Sequence, residues 1–242
     1  MVKRYNSSTG KVEDVVTTQG YDPSDDMMKV KSLQKKWKTD FAGTSLNTDR
    51  WEIVQQGAGH TISVANGELT IGTGTTANSE TILLSKEIFT DPVRALFGFM
   101  LSQKIANQEF YMEFVSVDPK TGRPDNLNKA AWKIAYADSS TNDYAVYQVQ
   151  AMGIPVLSSG AVKTTVAQTA YGIYEIEMFS DEVWFHARGM DSSSGRAYSN
   201  VRHQNIPHPT SVYKVQLRAK NLATAPASNT NFKFQFVNVI DY

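Results

Sequence analysis

Four side chains able to do chemistry fall in one short stretch, YGIYEIEMFSDEVWFHARG, from Tyr171 to Gly189. Two apolar-alternating runs meet there at a polar turn, so the stretch reads as a β-hairpin. Ile176 and Met178 before the turn share a face with Val183 and Phe185 after it. Glu175, Glu177, Trp184 and His186 take the alternate positions, and the two carboxylates read as a solvated face. Elsewhere Trp132 and Tyr136 share a face of one strand, and Tyr144 lies across the following turn. Flat aromatic rings stack on the C–H surfaces of sugars for the reason that they cover apolar area anywhere. Trp132, Tyr136, Tyr144, Trp184 and His186 are therefore the candidate binding residues, although aromatics are also ordinary occupants of a sandwich core or a subunit contact.

Other chemistries find little support. His60, His186, His203 and His208 lie far apart and lack the paired spacing of a zinc site, so they read as surface groups. Asp138, Asn142 and Asp143 offer oxygen ligands for calcium, but turns are rich in these residues for backbone reasons alone. Cysteine is absent, which removes disulfides, thiolate catalysis and thiolate-bound metal. No phosphate-cradling glycine loop, nucleophile elbow or dinucleotide fingerprint occurs. No cofactor and no metal are expected.

Charge and length narrow the setting. Lysine plus arginine equals aspartate plus glutamate at 24 each, so no global field draws in nucleic acid or an anionic membrane. The start, MVKRYNSSTGKVEDVV, has no apolar signal core, and no run approaches the roughly 18 apolar residues of a membrane span. The chain reads as made in a cytoplasm, with no nucleic-acid partner and no membrane insertion.

These side chains must be positioned by strands. From Phe41 onward, short runs separated by turn residues at intervals of about 8 to 12 argue for an antiparallel sandwich. Glu68 to Ile71 follows Thr61 to Val64 through Asn66-Gly67, the strongest short-range hairpin signal. Phe232, Phe234 and Phe236 alternate on the last strand, and Met190 to Pro209 reads as mostly loop. Residues 1 to 40 differ, reading as an attachment arm. Turn formers around Gly10 predict a small hairpin, and Ser24 caps a predicted helix whose apolar stripe is Met27, Val30, Leu33 and Trp37. Arg4, Tyr5, Asn6, Gly10, Leu33 and Trp37 are the arm's candidate contact residues.

The order of these pieces resembles a known family. Phe41 to Asn47 closing on Trp51, then Asn66 to Ile71, Ile82 to Lys86, Tyr174 to Gly189 and the final Phe-rich strand are similar to the concanavalin A-like lectin/glucanase jelly roll over residues 41 to 242. The resemblance implies two packed antiparallel sheets, the concave one often carrying a carbohydrate site. Lys3-Arg4-Tyr5-Asn6 with Thr9 to Glu13 also looks like the start of tailed-bacteriophage virion proteins.

The family's glucanases carry Glu-x-Asp-x-Glu on one strand face, a carboxylate pair flanking the scissile bond. The corresponding stretch is Glu109-Phe110-Tyr111-Met112-Glu113, which keeps both glutamates and puts Tyr111 at the aspartate position. That departure favours a structural role for the pair. The leading expectation is thus a non-enzymatic phage virion structural or decoration protein, anchored by its arm and presenting a lectin-like domain. Its expected partners are other virion proteins of capsid, neck or tail, copies of itself as a homo-oligomer, and a cell-surface glycan. A free-standing carbohydrate-binding lectin and a divergent glycan hydrolase using Glu109 and Glu113 are the alternatives.

Overall fold

The computed structural model describes residues 2–6, 11–15, 35–136, 144–158, 164–165, 171–179, 182–188, 197–202 and 211–241, and every regular element among them is a strand. The chain divides into two units, Met1–Gln34 and Lys35–Tyr242. In the first, β1 (Val2–Asn6) and β2 (Lys11–Val15) pair antiparallel, with Arg4 opposite Glu13 and Tyr5 opposite Val12. That is the expected small hairpin. Gly10 and Leu33 lie outside the described residues.

The second unit opens with β3 (Lys35–Thr39), β4 (Trp51–Gln55), β5 (Thr61–Ala65), β6 (Glu68–Gly72), β7 (Glu80–Ser85) and β8 (Val93–Leu101). It continues through β9 (Gln108–Val117), β10 (Pro124–Tyr136), β11 (Tyr144–Ala151), β12 (Ile154–Ser158) and β13 (Thr164–Thr165). It ends with β14 (Gly172–Met178), β15 (Glu182–Arg188), β16 (Ala197–Arg202), β17 (Val212–Asn221) and β18 (Asn231–Asp241). The first sheet runs β12-β11-β10-β9-β17-β7-β4, with β13 also on β11. The second runs β16-β15-β14-β8-β18-β6-β5, with β3 also on β18. All pairings are antiparallel, so the unit is a two-sheet jelly-roll sandwich.

Alternation builds the core between the sheets. Phe110, Met112 and Phe114 of β9 face inward with Val215 and Leu217 of β17, and meet Phe97 and Phe99 of β8 and Phe232 and Phe234 of β18, all fully buried. Register follows local chemistry. Asn66 and Gly67 at φ 53° and 76° make the tight turn that sets Val64 against Leu69. The hairpin of β14 and β15 forms as its alternation requires, Ile176 opposite Phe185 in the core and Glu175 opposite His186 on the outer face, but Glu175 is not solvated as expected: it is buried there against Arg94.

Three expectations need correction. Trp37 does not lie on a helix: it sits in β3 opposite Val239 of β18, buried in the core edge-on to Trp51 at 5.2 Å. Burial of Trp37 and Thr39 with Lys38 outside is a two-residue period, and the free edge of β18 overrides local helical spacing. The rest of the expected helix lies outside the described residues. Within Met190 to Pro209, Ala197–Arg202 is a strand, β16, held on β15 by pairing that a weakly patterned edge sequence does not advertise.

Phe236 does not share a face with Phe232 and Phe234. The register of β18 on β8 shifts between Phe234 and Phe236, so Gln235 bulges and Phe236 lands outside over Gly98. Val237 and Val239 resume the buried face. A Cβ on Gly98 would stand 2.5 Å from the Phe236 ring. Gly98→Ala is expected to lower stability by about 1–3 kcal/mol through this clash. Combined with Phe236→Ala, its cost should nearly vanish, and equal costs in the two backgrounds, measured by urea unfolding, would exclude the contact.

Candidate functional site

Strand β9 sits in the first sheet between β10 and β17, and its two faces carry opposite chemistry. While Phe110, Met112 and Phe114 point into the core, Glu109, Tyr111 and Glu113 alternate on the outer face. The register adds neighbours on that face. Lys133 of β10 and Arg218 of β17 flank Tyr111, and Ala131 and Gln216 flank Glu113.

These groups form one connected network. Gln216 Nε2 donates to Glu113 Oε1 at 2.6 Å, and Arg218 Nε donates to the same oxygen at 3.2 Å. Arg218 also contacts Glu80 at 3.3 Å and lies 3.7 Å over the Tyr111 ring. The Tyr111 hydroxyl donates to Glu109 Oε2 at 2.8 Å, while Lys133 Nζ pairs with Glu109 Oε1 at 2.9 Å. Glu113 is fully buried, and its Oε2 has no hydrogen-bond partner among the described residues.

The electrostatics separate the groups. Burial works to raise Glu109, but hydrogen bonds from Lys133 and Tyr111 and the charges of Lys133 and Lys220 outweigh it, so its carboxyl titrates below the usual range. Burial pushes the Tyr111 phenol upward; the Arg218 charge pulls against this, and Glu109 and Glu113 add to the rise. Tyr111 therefore keeps its proton and serves as a donor to an ionised Glu109. A two-carboxylate face with one member held ionised can support acid–base or nucleophilic work on a polar substrate.

The candidate binding aromatics do not form one platform. Trp132 is fully buried between the sheets, where its indole N–H donates to the Glu175 carbonyl at 2.9 Å. It is core. Trp184 and His186 lie instead on the outer face of the second sheet, stacked at 5.8 Å and 9° between planes. The side chains of Tyr136 and Tyr144 and the 138–143 loop lie outside the described residues. His60 is not a surface group: it is buried, with Nδ1 2.8 Å from the Thr81 hydroxyl, and desolvation lowers its pKa. Sequence reasoning missed Arg218, Gln216 and Lys133. The signal available was the polar alternation of Lys214, Gln216, Arg218 and Lys220 along β17.

No family model and no curated protein matches the sequence. Solved structures do match. An endo-β-1,3-glucanase from Pyrococcus furiosus superposes with TM-score 0.64 at 13% identity, covering 85% of this chain and 93% of that one. The catalytic domain of an endo-1,3-β-glucanase (laminarinase) from Thermotoga petrophila gives 0.61 at 11%, covering 85% and 96%. A β-glucanase from Bacillus licheniformis gives 0.60 at 11%, covering 86% and 98%. At such identities the likeness is one of fold, and it shows the concanavalin A-like jelly roll. The expectation of a non-enzymatic phage virion component is overturned here, because the similar structures named above are glucanases and none of them is a virion protein.

The network makes two measurable statements. Arg218→Met leaves the fully buried Glu113 carboxyl without its guanidinium partner and is expected to cost about 1–3 kcal/mol in urea unfolding. Adding Glu113→Gln should return much of that loss, and a purely additive double variant would show that the two do not act as a pair. For Glu109 the folded pKa is depressed, so its stabilisation is fully present above the ordinary carboxylate value of 4.5 and is lost as pH falls through the folded value. The stability gap between the native protein and Glu109→Gln should hold steady above about pH 5.5 and shrink in more acid solution. A gap that widens with acid would refute the assignment.

Proposed function

We propose that the protein is a glycan hydrolase acting at the outer face of the first sheet, with Glu109 and Glu113 as its carboxylate pair. The observation that carries this reading is their placement on one face of β9, with Tyr111 donating to Glu109 and Arg218 holding Glu113. Fold likeness to glucanases makes a β-1,3-glucan the first substrate to try.

Chemistry follows from the two environments. Glu109 is ionised at neutral pH, which suits the carboxylate that meets the anomeric carbon or activates water. Glu113 keeps one oxygen on Gln216 and Arg218 and leaves Oε2 without a hydrogen-bond partner among the described residues, which makes Oε2 the oxygen placed to meet the leaving group. Tyr111, in the middle position, keeps its proton and fixes the Glu109 carboxylate by donating to it. Glu109 is the more open of the two, and Glu113 stands beneath the same face, fully buried against Gln216 and Arg218.

Reducing ends released from laminarin by the purified protein test the proposal. Glu109→Gln and Glu113→Gln should each lower the rate roughly 100-fold or more. Tyr111→Phe should leave a folded protein with a lower kcat and an altered acid limb of its pH profile. A native protein that cleaves no β-1,3-glucan or other β-glucan, or one that cleaves equally well after Glu109→Gln, would defeat the reading.

A further inference from the structure

The outer face of the second sheet holds a different cluster. Glu175 and Glu177 stand two residues apart on β14, and His186 on β15 lies directly opposite Glu175 and diagonal to Glu177. One carboxylate oxygen from each glutamate and one imidazole nitrogen lie within 4.8 Å of one another. The geometry points to a binding site for a divalent transition metal ion of the zinc type, held by Glu175, Glu177 and His186.

Ligand type selects the metal. An imidazole nitrogen with two carboxylate oxygens suits Zn²⁺ or Co²⁺ better than the all-oxygen shells of Ca²⁺ and Mg²⁺. Bonds of about 2.1 Å in tetrahedral geometry put ligand atoms roughly 3.5 Å apart, so the three side chains need to close by little more than about 1 Å. Three protein ligands leave a fourth position for water.

The surroundings hold these ligands in place. Arg94 of β8, opposite Glu177 in register, contacts Glu175 Oε1 through Nε at 2.6 Å. This fixes one oxygen of Glu175 and leaves the carboxylate oriented by a neighbour of the kind that supports metal ligands elsewhere. The Trp184 indole stacks flat on His186 and restrains the imidazole plane. Behind the sheet, the backbone carbonyl of Glu175 accepts the Trp132 indole hydrogen bond, so the ligand stands on a strand anchored in the core.

The site is tested with the metal alone. After chelator treatment and dialysis, the full chain is titrated with Zn²⁺ by calorimetry and with Co²⁺ by visible absorption. One saturable site, a low-coordinate Co²⁺ spectrum and a rise in Tm with added Zn²⁺ are expected. His186→Ala and Glu177→Gln should each weaken binding tenfold or more, whereas Glu52→Gln on the first sheet should change nothing. No saturable binding at millimolar Zn²⁺ overturns the proposal, as does binding that survives both ligand variants or a Tm that responds to pH and not to metal. Should the variants fail to fold, imidazole resonances of the native protein decide: Zn²⁺ binding that leaves the His186 resonance unmoved is equally fatal.

Discussion

One hydrogen bond crosses the sandwich and ties its two outer faces to a common anchor. The Trp132 indole N–H, on β10 of the first sheet, reaches the Glu175 carbonyl on β14 of the second, 2.9 Å away in the fully buried core. An unpaired buried donor there would cost on the order of 1–3 kcal/mol, so the bond constrains how the sheets can slide. Tyr174 and Phe185 stand edge-on around the same indole, each 5.5 Å away, and block its rotation. Because strands alternate, the residues beside these two face outward. Lys133 follows Trp132 into the carboxylate network on one side, and the side chain of Glu175 enters the glutamate–histidine cluster on the other.

The outer face of β9 runs on a second constraint, a single guanidinium serving three acceptors. Arg218 meets Glu113, Glu80 and the π face of Tyr111, and burial makes each of these contacts stronger than it would be in water. Such a group cannot move without unbalancing all three. Rigid placement of charge is what electrostatic catalysis requires, and the proposed hydrolysis would draw it from these sheet side chains rather than from loops.

Much of this was legible because strand chemistry is local. Asn66-Gly67 announces its turn, and the alternation through Tyr171–Gly189 sorts that hairpin into its two faces correctly. Alternation also has a blind spot. It says which residues share a face but not which face is the core, so Trp132 and Trp184 read alike although one is the centre of the sandwich and the other stands outside it. Trp37 shows the other limit, since a strand edge 200 residues away in sequence, Val237 to Asp241, decided its conformation. The pairing of Arg218 with Glu113 is of the same long-range kind. Nothing near either residue signals it, and only the polar stripe on β17 hints at a charged surface.

Gln235 gives the last strand an arithmetic of its own. Residues before it bury their even-numbered side chains, Phe232 and Phe234, and residues after it bury the odd ones, Val237 and Val239. The single extra residue works as a parity switch between two halves of β18 that answer to different partners, β6 along the first half and β3 along the second. Without that residue Phe236 would follow Phe234 directly in the ladder, opposite Gly98, and the valines would stay inside by plain alternation; with it, the strand reaches the same partners one residue later, so the bulge stores a spare residue where neither buried half has to change its facing.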